Sequence, residues 1–210
     1  MKSKISLLIL FLFVISCGKK TETQTENANT EAKEVTIQKV APETRETPNF
    51  DFENFKIEKG KVGDITIGMT MNEAESFLKN LSKTEAEAYD FGFDGGGKAY
   101  LYSFKDELVL ALIPKRDSDE ILAIAALNEK LRTTNGLHPK SSIQEIKKLY
   151  PKTQINQNLM MGWEVIYDEK NDWEFVFMTT EENRIGAYND FETPAEPKIM
   201  NAKSDWITIK

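Results

Sequence analysis

The 210-residue sequence predicts an α+β domain: two tandem repeats of a helix followed by an antiparallel β-meander, with the helices packed on one sheet face. Three observations carry this expectation. Thr70 precedes Glu73 by three residues, and Ser142 precedes Glu145 by three. That is the spacing of a capping box, in which a hydroxyl and a carboxylate satisfy free backbone N–H groups at a helix start. The two boxes lie 72 positions apart, and residues 70–78 return as a faint repeat at 142–150 with apolar residues in matching phase. After each box the apolar period falls from helical spacing to two, the mark of strands.

The elements follow in order. Ala74, Phe77, Leu78 and Leu81 give the first helix its apolar stripe, and Ile143, Ile146, Leu149 and Tyr150 give the second, which Pro151 stops. Tyr89, Phe91 and Phe93 alternate, Asp94-Gly95-Gly96-Gly97 turns the chain, and Tyr100, Tyr102 and Phe104 alternate, which reads as a hairpin. Strands are expected at 108–113 and 121–127, separated by the polar loop 114–120. In the second unit Trp163, Val165 and Tyr167 alternate, 168–172 turns, and Trp173, Phe175 and Phe177 alternate. Residues 184–188 complete that sheet, so the units span about 62–130 and 131–190.

Together they form a single globular domain over 56–210, a usual domain size. Residues 17–55 read as a polar linker. Between Lys19 and Lys33 there is no Val, Ile, Leu, Met or aromatic residue, so burial cannot offset the entropy of ordering. A flexible chain of about 35 residues spans roughly 30–35 Å. Phe50, Phe52 and Phe55 mark where the chain meets the globule, because free tails rarely carry aromatics.

Residues 1–16 have the form of a secretory signal: Lys2 and Lys4, then an apolar run over 5–15 about half as long as a transmembrane helix needs. The ending Val14-Ile15-Ser16-Cys17 resembles the lipobox of bacterial lipoproteins. The resemblance implies cleavage before Cys17, a thioether-linked diacylglycerol on its sulfur and an acyl chain on its amine. Two or more chains hold a protein durably at a membrane. Gly18, in place of an acidic residue, implies the outer membrane within that family and leaves the leaflet open. An ordinary signal peptide ending near a cysteine is the alternative.

The signal holds two of the 27 basic residues and none of the 34 acidic ones, so cleavage takes the net charge from −7 to −9. Such a chain suits neither nucleic acid nor, through its folded surface, an anionic bilayer. Cys17 is the single cysteine, so no internal disulfide forms and stability rests on packing.

No constellation points to catalysis, a cofactor or a metal. His138, the lone histidine, has no evident partners and reads as a loop residue. No Gly-x-Ser-x-Gly is present. The run from Asp90 to Gly95 starts like a calcium loop but has Leu101 at its twelfth position, where a bidentate Glu is required. The acidic loops 117–120 and 168–172 offer weak calcium ligands at most and read as solvated turns. Glu164 and Glu174, on neighbouring strands, are the one carboxylate pair a glycan-acting enzyme could use. Charged residues on a hairpin's solvent face account for them more simply.

The aromatic rows are the binding candidates. Trp163, Tyr167 and Trp173 are expected on the face that carries Phe175 and Phe177, with Tyr100, Tyr102 and Phe104 as a second row. A sheet needs one covered face, so both rows pack under helices, or else they form a concave aromatic surface that receives another protein.

The run from Ile65 to Ala74 is similar to the helix entry of the small lipoprotein of the outer-membrane β-barrel assembly machinery. The tandem helix-plus-sheet plan resembles β-lactamase inhibitor protein, and the whole chain resembles uncharacterised lipoproteins of the Bacteroidetes type. The second repeat departs by having Pro139 and Lys140 where the first has Ile67 and Gly68. These resemblances imply fold more than function and carry over no catalytic residues. The expected function is a lipid-anchored, non-catalytic binding or scaffold module of the cell envelope, held by the lipid on Cys17 and partnered by another envelope protein. The alternatives are an inhibitor or ligand-sequestering protein using the aromatic face or a protruding loop at 90–98, and the glycan-acting enzyme.

Overall fold

The computed structural model describes residues 49–190 and 193–210. The signal segment 1–16, Cys17 and the linker up to residue 48 lie outside the described residues. The folded body begins before residue 56. Phe50 and Phe55 are both buried, their ring centroids 4.5 Å apart, and Phe50 reaches Phe104 at 5.8 Å.

Both capping boxes form. At α1 (Met71–Glu75) the Glu73 N–H donates to Thr70 Oγ1 at 3.4 Å and the Thr70 N–H donates to Glu73 Oε2 at 3.0 Å. At α2 (Ile143–Leu149) the same pair, Ser142 and Glu145, closes at 3.2 and 2.7 Å. The first helix is shorter than its apolar spacing predicts. Ser76 Oγ donates to the Glu73 carbonyl, and the chain proceeds through three-residue turns to Leu81, leaving Phe77 exposed.

Three two-residue strands, β1 (Ile57–Glu58), β2 (Lys61–Val62) and β3 (Ile65–Thr66), form a small antiparallel sheet. They are too short for a periodicity to show in the sequence. Their Ile57, Val62 and Ile65 are fully buried in the main core.

The main sheet has eight antiparallel strands: β4 (Ser82–Glu87), β5 (Lys98–Phe104), β6 (Glu107–Pro114), β7 (Ile121–Ala126), β8 (Asn156–Gln157), β9 (Glu164–Asp168), β10 (Trp173–Phe177) and β11 (Trp206–Ile209). Their order is β4-β5-β6-β7-β11-β10-β9-β8. Each half is a meander read inward from its own edge. The halves meet where Ile124, Ala125 and Ala126 of β7 pair with Ile209, Thr208 and Ile207 of β11. One face carries the larger core, to which α1 contributes Ala74, the turn after it Leu78, and α2 Ile143 and Ile146. The other carries alanines with Trp163, Trp206 and Val176.

Each helix start is tied to the chain leading into the last strand of its half, in the same way. Gly68 N–H donates to Ile121 O at 2.9 Å, Ile121 N–H to Met69 O at 2.8 Å, and Met71 N–H to Asp119 O at 2.8 Å. In the second half Lys140 N–H donates to Ser204 O at 3.0 Å, Ser204 N–H to Ser141 O at 3.0 Å, and Ile143 N–H to Ala202 O at 3.0 Å. Gly68 has φ +84° and Lys140 φ +82°, so a lysine holds the left-handed conformation that glycine holds in the first half.

Two strands differ from expectation. Tyr89 and Phe91 lie in a 3₁₀ turn over Ala88–Phe91, and the strand that pairs with β5 is the preceding, polar Ser82–Glu87. This is an exposed edge strand, so no buried alternation marks it, and its charges discourage pairing with other chains. Lys83 pairs with Glu75, and Lys98 with Glu87. Residues 184–188 form no strand. The backbone N–H groups of Ile185 and Gly186 are taken by a side chain, Glu164, and the sheet is completed by β11.

The left-handed turn at Gly68 yields a direct test. No atom lies within 4 Å of a Cβ added there, so Gly68→Ala imposes a backbone cost alone. Urea unfolding is expected to show a loss of about 1–2 kcal/mol. An unchanged midpoint would show that the turn is not held.

Candidate functional site

The second aromatic row divides between the two faces of the sheet. Trp173 pairs with Asp168 across a four-residue loop, so Phe175 faces Ile166 while Tyr167 faces Glu174 and Val165 faces Val176. Residues of equal parity on β9 and β10 therefore point to opposite faces. Trp173, Phe175 and Phe177 enter the larger core, and Trp163 enters the other. Trp163 is 5% exposed and Trp173 2%, so neither offers a contact surface. Trp173 Nε1–H donates to Glu58 O at 3.3 Å. Tyr102 is buried too, its hydroxyl donating to Glu75 Oε1 at 2.8 Å, and Tyr100 lies half-buried beneath the Lys83 ammonium, 4.0 Å from the ring centroid. Burial and the Glu75 carboxylate push the Tyr102 phenol up, and the Lys83 ammonium holds Glu75 below the usual carboxylate range. Of the five predicted contact residues, only Tyr167 is substantially exposed, at 46%.

Tyr167 borders a surface groove of about 640 Å³ between the chain leaving α2 and the outer edge of β9. β8 pairs only with Glu164 and Val165. Beyond Val165, β9 has no strand partner on that side among the described residues. Tyr150, Pro151, Tyr167 and Pro194 give it apolar walls, Ile166 and Phe175 lie buried beneath it, and Tyr150 and Asp168 supply polar groups. Asn135 Nδ2–H donates to Tyr150 Oη at 2.7 Å, and Asn171 Nδ2–H to Asp168 Oδ2 at 2.7 Å. Burial first, and the neighbouring Asp168 carboxylate second, push the Tyr150 phenol up to about 12. It stays a neutral hydrogen-bonding group at ordinary pH. The groove thus combines apolar walls, fixed polar groups and open strand edge, a combination suited to holding an extended chain.

The carboxylates expected to pair do not. Glu164 is 1% exposed and accepts from Ile185 N–H at 2.7 Å, Gly186 N–H at 2.7 Å and Tyr188 Oη–H at 2.8 Å. Glu174 projects from the other face and meets Lys210. Facing apart, they cannot flank one bond. His138 Nδ1–H donates to the Pro139 carbonyl at 2.7 Å. In the acidic loops Glu120 pairs with Lys115, and Asp172 with Lys59 at 2.7 Å. Among the described residues no group of three His, Cys, Asp or Glu is placed to hold a metal. The loop at 90–98 is docked in its first part, Phe91 lying 5.7 Å from Trp206 and Gly92 against Trp163, while residues 94–98 are exposed.

A solved structure shares this fold. It is that of the uncharacterized protein yfeY from Escherichia coli, with a TM-score of 0.50 and 14% identity over 74% of this chain and 99% of that one. At that identity the likeness to yfeY extends to the fold alone. No protein-family profile and no curated protein sequence matches the chain.

Of two features beyond the sequence-based expectations, one escapes sequence patterns and one carries a signal. The Glu164 clasp brings residues 21 to 24 positions apart around a carboxylate, and nothing in Glu164's neighbours sets it apart from a solvated strand residue. Trp206, part of the second core, sits in Trp206-Ile207-Thr208-Ile209, whose β-branched run is a strand signal.

Glu164→Gln retains the shape of the clasp but replaces one acceptor oxygen by a donor that faces an N–H or O–H. Chemical denaturation is expected to show a loss of about 2–3 kcal/mol, and wild-type stability would contradict the clasp. Tyr150 provides a test in alkali. Its folded pKa lies above the unfolded value of 10.0, so its contribution to stability is complete below pH 10 and fades as pH rises toward about 12. Tyr150→Phe is expected to remove a phenolate absorbance step near pH 12. Ionisation of Tyr150 near pH 10 would contradict the half-buried, carboxylate-facing position.

Proposed function

We propose that the chain is a lipid-anchored, non-catalytic binding module of the bacterial cell envelope, held by acyl chains on Cys17, with the outer membrane the favoured location. In this reading the groove beside Tyr167 receives an extended segment of another envelope protein. The observation that carries it is the unpaired outer edge of β9 running along a groove of about 640 Å³. Main-chain groups of an added strand supply affinity there, and the exposed Tyr167 selects side chains. The lipobox-like ending at Cys17 and the polar run after it support the anchor.

The two halves are best explained as copies of one unit, a helix and four strands. The hydrogen bonds at the helix starts support this: Gly68 and Lys140, Met69 and Ser141, Met71 and Ile143 are each 72 positions apart, while their partners Asp119 and Ala202, Ile121 and Ser204 are each 83 apart. The second copy then extends to β11, beyond the boundary at 190 that periodicity predicts.

Anchor and groove are tested separately. Cys17→Ser is expected to release or mis-sort the protein while the domain stays folded, and membrane retention of that variant would overturn the anchor. A photo-crosslinking residue at position 167 is expected to capture an envelope protein that the same residue at exposed Leu122 does not. Equal capture at both positions, or none at either, would overturn the groove.

A further inference from the structure

The segment from Ala88 to Gly97 leaves edge strand β4, crosses the second face of the sheet and returns to β5. Its backbone hydrogen bonds close on itself: Ala88 N–H donates to Gly97 O at 3.1 Å, Gly92 N–H to Tyr89 O at 2.9 Å, and Phe93 N–H to Ala88 O at 3.2 Å. At its base the Glu87 N–H of β4 donates to Asp90 Oδ2 at 3.4 Å; among the described residues no backbone–backbone hydrogen bond joins residues 89–96 to the sheet beneath. The attachment is made by side chains. The Phe91 ring meets Trp206 edge-on, centroids 5.7 Å apart, and Phe93 lies 5.8 Å from the Lys210 ammonium. Gly92, at φ +87°, passes so close to Trp163 that an added Cβ would stand 3.0 Å from its Cζ2.

Below the segment, Trp163 and Trp206 pack edge to face, 5.2 Å apart, on a floor that includes Ala111, Ala123 and Ala125. Trp206 Nε1–H donates to Thr208 Oγ1 at 3.0 Å. Trp163 Nε1 is buried without a partner. A buried donor left unpaired raises the free energy of the closed arrangement relative to one in which water or another acceptor reaches it. Gly95, Gly96 and Gly97 are exposed, and Gly96 and Gly97 hold positive φ, so one limb of the segment bends easily.

We propose that residues 88–97 form a strap that opens as a unit, uncovering Trp163 and Trp206 while the eight-stranded sheet stays folded. Closed, it hides two indoles and an unused N–H donor; open, it presents them at the surface. The device is independent of the groove, which lies beyond the outer edge of β9. Local openings need only the free energy of the contacts they break, whereas the central strands open with the whole domain.

The three indole N–H groups report the difference. Trp163 and Trp206 lie under the strap, and Trp173 lies in the opposite core, bonded to Glu58. Their hydrogen exchange is followed by NMR on the full chain as urea is raised within the native range. The Trp163 and Trp206 protons are expected to exchange at least about tenfold faster than that of Trp173, with little dependence on urea, because local opening exposes little new surface. Gly92→Ala and Phe91→Ala should each speed the strap-side indoles further and leave the ratio of the Trp173 rate to global unfolding unchanged. A common rate and a common urea slope for all three indoles would overturn the strap, as would variants that leave Trp163 and Trp206 exchange unaltered.

Discussion

The structure depends on the pairing of β7 with β11. Three residue pairs join two four-stranded meanders into one sheet, and Ile124, Ile207 and Ile209 at this seam are fully buried. The seam is also where both helices are secured, since the segments entering β7 and β11 accept hydrogen bonds from the two helix starts. Without the seam each half would present an unpaired inner edge, a row of N–H and C=O groups with no partners. A helix of five residues and one of seven could not persist by propensity. Their capping boxes close because the strand entrances hold the preceding residues in place.

The sheet then sorts its faces by size. Large residues such as Leu110, Leu112, Phe175 and Phe177 fill the side beneath the helices and the small sheet. The other side is paved with Ala99, Ala111, Ala123 and Ala125, which leave room for Trp163 and Trp206 close to the backbone. A short segment can therefore cover that face with two phenylalanines. At the outer edge of the second half, β8 is only two residues long, so β9 runs past it into the open. Central pairing confers rigidity, while the short edge strand leaves the surface on which the binding proposal rests.

Much of this was legible in the sequence. Thr70 with Glu73 and Ser142 with Glu145 located both helix starts, because a capping box is a local motif whose chemistry is complete within four residues. The strands β5, β6, β7, β9 and β10 follow from alternation or apolar runs. What could not be read depends on relations between strands. The loop between Asp168 and Trp173 holds four residues, and that number decides that Trp163 and Trp173 face opposite sides. Ser82–Glu87 is a strand because β5 pairs with it, not because of its own residues. Glu164 and Glu174 look alike in sequence; a clasp around Ile185 and Gly186 makes one of them internal.

The central claim is that the β7–β11 seam makes the two halves one cooperative body. Native-state hydrogen exchange along a urea series, comparing the amides of β6 and β7 with those of β9 and β10, tests it most directly. A single shared opening free energy and urea slope for the two groups is predicted. Two separate sets, with one half opening while the other stays protected, would contradict it.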